Sequence, residues 1–118
     1  LTVIGLPDAA LAEARDRVRA AIVNSGQQWP QKRITLALSP AALPKRGSGF
    51  DVALAAAVLA ASGAVPAQAL LGRVLVGELG LDGRVRPVRG VLPSVLTALR
   101  AGVERVVVPL ANLAEARP

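Results

Sequence analysis

From Val52 to Ala61 the chain runs ten residues without a polar side chain, introduced by Asp51 and closed by Ser62-Gly63. A run of alanine, valine and leucine of that length reads as one helix. No side of that helix is polar, so the pattern predicts burial all round and a place at the centre of the fold. Asp51 is expected to cap the helix and Gly63 to end it. The run is about half the roughly 20 residues needed to cross a bilayer, so the cover must be protein.

The remaining elements follow from periodicity and punctuation. Thr2 to Leu6 reads as a short strand ending at Pro7-Asp8, where a proline in the first turn and an acidic residue at the positive end of the dipole favour a helix start. Leu11, Ala14, Val18 and Ile22 then recur on one face. They predict an amphipathic helix from about Asp8 to Asn24, closed by Asn24-Ser25-Gly26. Trp29-Pro30 marks a loop, and Ile34, Leu36 and Leu38 alternate within Arg33 to Leu38 as in a half-buried strand. Arg73 to Leu79 and Arg84 to Val88 flank Leu81-Asp82-Gly83. An Asp-Gly turn tolerates positive φ, which predicts a hairpin of two antiparallel strands.

After Gly90 a third helix is expected from about Val91 to Ala101, with Pro93 in its first turn and Gly102 closing it. Arg105 to Val108 reads as a last buried strand broken by Pro109, and Leu110 to Ala116 as a terminal helix. Helices alternate with strands, so the expected fold is a layered α/β or α+β domain. Its 118 residues suit one domain, residues 1–118, with a core of its own. Trp29 and Phe50 are the only aromatics, so the core should be aliphatic and stacking of bases on exposed rings is not expected. The chain contains no Met and opens on Leu1 inside an apolar run, which reads as a fragment of a longer protein. No basic segment precedes a hydrophobic start, so no signal peptide is expected.

Much chemistry is excluded by residue type. There is no cysteine and no histidine, hence no disulfide, no thiolate nucleophile and no imidazole ligand or base. A cytoplasmic location suits this composition. An ATP-binding P-loop needs Gly-x-x-x-x-Gly-Lys-Ser/Thr, but Lys32 follows Gln31 and Lys45 follows Pro44, so no ATP site is expected in this chain.

The irregular stretch Ser39 to Gly49 is the candidate functional loop, centred on Gly47, Ser48 and Gly49. Its glycines can approach a phosphate or simply form a flexible turn. Ser48 with Lys45 is the one Ser-Lys pair within a loop, and nothing local activates either. Glu78 is a lone carboxylate at a strand end. A net charge of +6, from twelve arginines and two lysines, permits an anionic partner such as nucleic acid. Arg15 and Arg19 share one flank of the first helix while Arg17 faces elsewhere, so no single basic stripe forms. Lys45, Arg46, Arg84, Arg86 and Arg89 are the candidate contacts to DNA or to a protein partner. Arg84 and Arg86, two apart on a strand, can share one face of the hairpin.

Several runs resemble a known family in order and spacing: Val3 to Ala10 followed by Arg15, Arg17, Val18, Arg19 and Ala20; Lys32 to Thr35; Leu43 to Gly47; Phe50-Asp51; Gly77 to Gly83; and Arg86 to Pro93. Together they are similar to the N-terminal domain of the ComM, or YifB, family of magnesium-chelatase-subunit-like AAA+ proteins. The resemblance implies a domain ahead of an AAA+ ATPase module, in hexameric proteins linked to natural transformation and to the movement of DNA branches. ATP and magnesium would bind in that module, not here. The implied partners are the AAA+ module of the same protein, further copies of it, and DNA; no membrane is implied.

The second half also resembles the proteolytic domain of Lon, which uses a Ser-Lys dyad, and this adds to the layered fold a mixed sheet with packed helices and a β-hairpin. The resemblance places Gly49 where the serine would stand and Ser94 where the lysine would stand. Both catalytic groups are then missing, so the resemblance implies the fold and argues against its chemistry. Three roles stay open at this point: a non-catalytic accessory domain that aids ring assembly or contacts DNA, a degenerate Ser-Lys hydrolase using Ser48, and a pure protein-interaction domain.

Overall fold

A computed structural model describes residues 1–4, 8–37 and 49–117 of the chain. Strand β1 (Thr2–Ile4) leads to helix α1 (Asp8–Asn24), strand β2 (Thr35–Ala37) and helix α2 (Asp51–Ala61). A 3-10 turn at Ala67–Leu70 precedes β3 (Arg73–Leu75), β4 (Glu78–Leu79) and β5 (Val85–Arg86). Helix α3 (Val91–Arg100), strand β6 (Arg105–Val107) and a 3-10 turn at Leu110–Asn112 complete the order. The architecture is the expected mixed α/β one, with parallel and antiparallel pairs. Among the described residues those pairs are β1 with β2 and β3 with β6, both parallel, and β4 with β5, antiparallel.

Helix α1 forms where its apolar period predicts. Ala14, Val18, Ala21 and Ile22 are buried along one stripe; the side chain of Leu11, expected on the same face, lies outside the described residues. The helix stops at Gly26, whose φ of +85° no β-carbon has to tolerate. Its stripe meets Leu54 and Val58 of α2 and Leu79 of β4 in the main core, which is aliphatic throughout, with Trp29, Ile34 and Leu36 packed at its margin. A second core lies under α3, where Val91, Val95 and Ala116 meet Val76, Val88, Val106 and Val108.

Five expectations need correction. Helix α2 is not covered all round: only Asp51, Leu54 and Val58 are buried, one residue per turn on one stripe, and most of the remainder is half-buried. The cause is its alanine content, since a short side chain left partly open exposes little apolar area. Nor does Asp51 cap the helix. Phe50 holds the cap position without a side-chain hydrogen bond, and Asp51 turns inward to zero exposure.

The stretch from Arg73 to Leu79 divides into two strands. The Val76 amide donates to the Val107 carbonyl at 2.9 Å, continuing the ladder with β6, but the Gly77 amide donates to the Gly49 carbonyl at 2.7 Å, and the Val52 amide donates to the Gly77 carbonyl at 3.2 Å. The chain changes partner at Gly77, and only Glu78–Leu79 enters the hairpin. Nor is β6 a buried strand: Arg105 and Val107, on one face, are exposed, and only Val106, on the other, packs on the second core. The segment after it makes a 3-10 turn instead of the expected helix.

The Asp-Gly hairpin forms as expected. Gly83 has a φ of +89°, and the Gly80 amide donates to the Arg84 carbonyl at 2.8 Å. Its turn docks on the end of α1, where the Asn24 side-chain amide donates to the Leu81 carbonyl at 2.6 Å. A β-carbon at Gly83 would lie 2.5 Å from Ser25 Oγ, so glycine is required there twice over.

Candidate functional site

The divided strand opens a groove of about 980 Å³ between β3, the Pro87–Arg89 segment and one face of α3, with Gly49 and Phe50 at one end. Its walls are mainly Val74, Val76, Val88, Ala98 and Val103, and its polar groups include Glu78, Arg89, Ser94 and Thr97. Gly90, at φ +76°, stands at the entry to α3, whose Ser94 and Thr97 line the groove. Both hydroxyls are already used: Ser94 Oγ donates to the Gly90 carbonyl at 3.0 Å and Thr97 Oγ1 to the Pro93 carbonyl at 2.9 Å. Such back-bonding points each hydroxyl proton at a helix carbonyl, which is no base to take it.

Gly49 and Ser94, 45 positions apart by number, therefore border one groove. Gly49 has no side chain, and Ser94 has no lysine to pair with among the described residues. Glu78, half-buried, is a single carboxylate. Among the described residues no three His, Cys, Asp or Glu side chains gather to hold a metal ion. No described helix is long and apolar enough to cross a membrane.

The structure scatters the other candidate residues. Arg84 precedes β5 and is held by the turn: its amide donates to Asp82 Oδ1 at 3.0 Å, and its guanidinium lies 3.9 Å from the same carboxylate. Arg86 is exposed and stands across the ladder from Glu78. Arg89 is exposed at the groove. Only Gly49 of the glycine loop is described; Lys45, Arg46, Gly47 and Ser48 lie outside the described residues.

The residue that sequence reasoning misassigned is Asp51. Its carboxylate accepts from Arg17 Nε at 2.7 Å and Nη2 at 3.0 Å and from the Leu79 amide at 3.1 Å, tying α1, α2 and β4 together directly beside the groove. The hydrogen bond to Asp51 raises the Arg17 pKa above its ordinary value against the effect of burial, with help from the charges of Asp51, Glu78 and Glu13. The available signal was Arg17 itself, which leaves the flank shared by Arg15 and Arg19. Asn112 was missed as well, and nothing in its surroundings announced it. Only 5 % exposed, it accepts from the Val88 amide at 2.8 Å and donates to the Val88 carbonyl at 3.0 Å.

Residues 1–112 match the model of the family described as subunit ChlI of Mg-chelatase. The chain belongs to that family. It is 65 % identical over 113 residues to an uncharacterized protein of Mycobacterium tuberculosis, covering 96 % of this chain and 22 % of that one. The protein YifB of Salmonella typhimurium is 49 % identical over 115 residues, 98 % of this chain and 22 % of its own length. Competence protein ComM of Haemophilus influenzae is 43 % identical over 106 residues, 90 % of this chain and 21 % of its own. The chain thus spans about a fifth of the length of the curated relatives it matches. A more distant likeness, 36 % identity over 110 residues, joins it to 13 % of the Lon protease of Roseiflexus castenholzii. The resemblances drawn from the motifs, to ComM and YifB and more remotely to Lon, agree with these matches.

Proposed function

We propose that the chain is a non-catalytic accessory domain of a ComM-like AAA+ ATPase, preceding the ATP-hydrolysing module of the same cytoplasmic protein, and that it brings that protein to DNA. The observation that carries this reading is the groove. At the two positions where a Lon-like dyad would stand, Gly49 offers no nucleophile and Ser94 donates its hydroxyl to its own helix. The likeness to Competence protein ComM supports the parent protein, and the net charge of +6 supports an anionic partner. ATP and magnesium would belong to the AAA+ module, since this chain has no P-loop lysine.

The apolar walls of the groove favour a second reading, in which the domain docks against a neighbouring subunit and helps the ring assemble. Measuring DNA affinity over a salt series separates the two, because each phosphate contact adds to the slope of affinity against salt. The double change Arg84→Ala, Arg86→Ala is expected to lower both affinity and slope. Unchanged values remove the hairpin from the DNA path and leave ring assembly as the role of this region. The enzymatic rival rests on Ser48. A serine-reactive probe is expected not to label the protein, and labelling that disappears in Ser48→Ala would overturn the non-catalytic reading.

A further inference from the structure

Away from the groove, the segments that follow α1 and α2 enclose a second cleft of about 550 Å³, between residues 26–32 and 62–64. Trp29 forms part of its wall, with its ring packed against the main core. The Arg19 guanidinium lies over that ring, 5.7 Å from its centre and beside the cleft, while Gln28, Gln31 and Lys32 line the cleft itself. Arg19, Gln28, Gln31 and Lys32 are all exposed.

Two helix ends at one cleft would ordinarily present partial negative charge and repel an anion. Here several carbonyls of the last turns are occupied. The Leu59 carbonyl accepts from Ser62 Oγ at 2.9 Å and from the amides of Ala64 at 2.9 Å and Val65 at 3.2 Å; the Ile22 carbonyl accepts from the Gln27 amide at 3.2 Å. Among the described residues no carboxylate lines the cleft, and the ion pairs engage Arg17 and Arg84, leaving Arg19 and Lys32 without an acidic partner there. The charge that remains is cationic, beside an aromatic ring and two side-chain amides. That is the set of groups with which proteins hold unpaired nucleotides: a ring for the base, cations for the backbone and amides for the base edge. A scarcity of aromatics rules out a platform for many bases, but a single stack needs one ring.

We propose that this cleft binds a segment of single-stranded DNA, with one base taking the place of the Arg19 guanidinium over Trp29, phosphates at the displaced Arg19 and at Lys32, and the base edge toward Gln28 and Gln31. The proposal rests on the reading that the domain contacts DNA and gives that contact a place apart from the hairpin arginines. Trp29 is the one tryptophan of these 118 residues, so the emission that disappears in Trp29→Phe reports on this cleft.

The test titrates the protein with fluorescein-labelled oligothymidylate at about 50 and 200 mM salt, reading anisotropy for binding anywhere and tryptophan emission for binding in the cleft. Quenching of Trp29 that tracks the anisotropy is expected. The double change Arg19→Ala, Lys32→Ala, at exposed positions and with an unchanged unfolding midpoint as its control, should weaken binding about tenfold at the lower salt and flatten the salt dependence. Binding by anisotropy with Trp29 unquenched and the double variant unaffected would overturn the cleft while leaving DNA contact in place. No binding at all would remove the DNA reading and the cleft with it. Quenching by polyglutamate as strong as by the oligonucleotide would show attraction of any polyanion and overturn base stacking.

Discussion

Arg17 and Asp51, 34 positions apart, meet in a two-pronged ion pair, with Nε to Oδ2 at 2.7 Å and Nη2 to Oδ1 at 3.0 Å. The aspartate is fully buried and the arginine side chain 22 % exposed, so one end of the pair reaches water and the other does not. The remaining capacity of the carboxylate is met by the Leu79 amide at 3.1 Å. A single side chain thereby joins both helices of the main core to the hairpin that flanks the groove. Removing Arg17 leaves a buried carboxylate with one neutral donor. Arg17→Ala is expected to cost about 3 kcal/mol of stability, toward the lower end for buried pairs because of that partial exposure. Denaturant unfolding checks this. Folding raises the Arg17 pKa, so its contribution is complete below the unfolded arginine value and is lost only as pH rises through the folded one. An unfolding series from neutral to mildly alkaline pH should therefore show no loss from this group.

Gly77 is the point at which the chain passes from β6 to the segment ahead of α2, and it has no space for a side chain. A β-carbon there would lie 2.7 Å from Val52 Cγ2 and 3.0 Å from Val85 Cγ1, both on stiff β-branched residues. Gly77→Ala should destabilise the protein by roughly 1–3 kcal/mol through overpacking. Adding Val52→Ala should recover part of that loss, and a double-mutant cycle of unfolding midpoints measures the recovery. Additive losses would place the strain elsewhere.

Leu54 and Leu59 lie on the same apolar helix but in different surroundings. Leu54 is 4 % exposed within the main core, whereas Leu59 packs half-buried at its edge. Leu54→Ala is expected to cost about 2–5 kcal/mol from lost burial and the cavity left behind. Leu59→Ala should cost clearly less, since water and neighbouring chain can fill its place. Equal losses in thermal unfolding would mean that α2 is enclosed on every side after all.

Asn112 closes the second core from the C-terminal side, with its side-chain amide gripping both polar atoms of the Val88 backbone. Asn112→Ala would leave that backbone amide without its partner, at a cost of about 1–3 kcal/mol. Faster hydrogen exchange at Val88, with α1 amides unchanged, is the expected signature of a local loss of contact.

Sequence by itself determined the elements whose causes are local. The period of Ala14, Val18 and Ile22 placed α1, and the Asp82-Gly83 turn placed the hairpin. Gly63 and Gly102 marked the ends of helices α2 and α3, at φ +85° and +81°. Each depends on neighbours within about one helical turn, and such neighbours are visible in a linear chain. The gathering of Gly49 and Ser94 at one groove came from family resemblance; periodicity carried no trace of it. Only the tertiary structure decided where Asp51 turns, how the run from Arg73 to Leu79 divides, and which side of α2 stays half open. The physical reason is the same in each case. A carboxylate beside an apolar run can cap its own helix or pair with a distant arginine, and a continuous apolar strand can keep one partner or change it. The choice depends on what lies across the core, 28 to 34 positions away in the pairs that Asp51 makes.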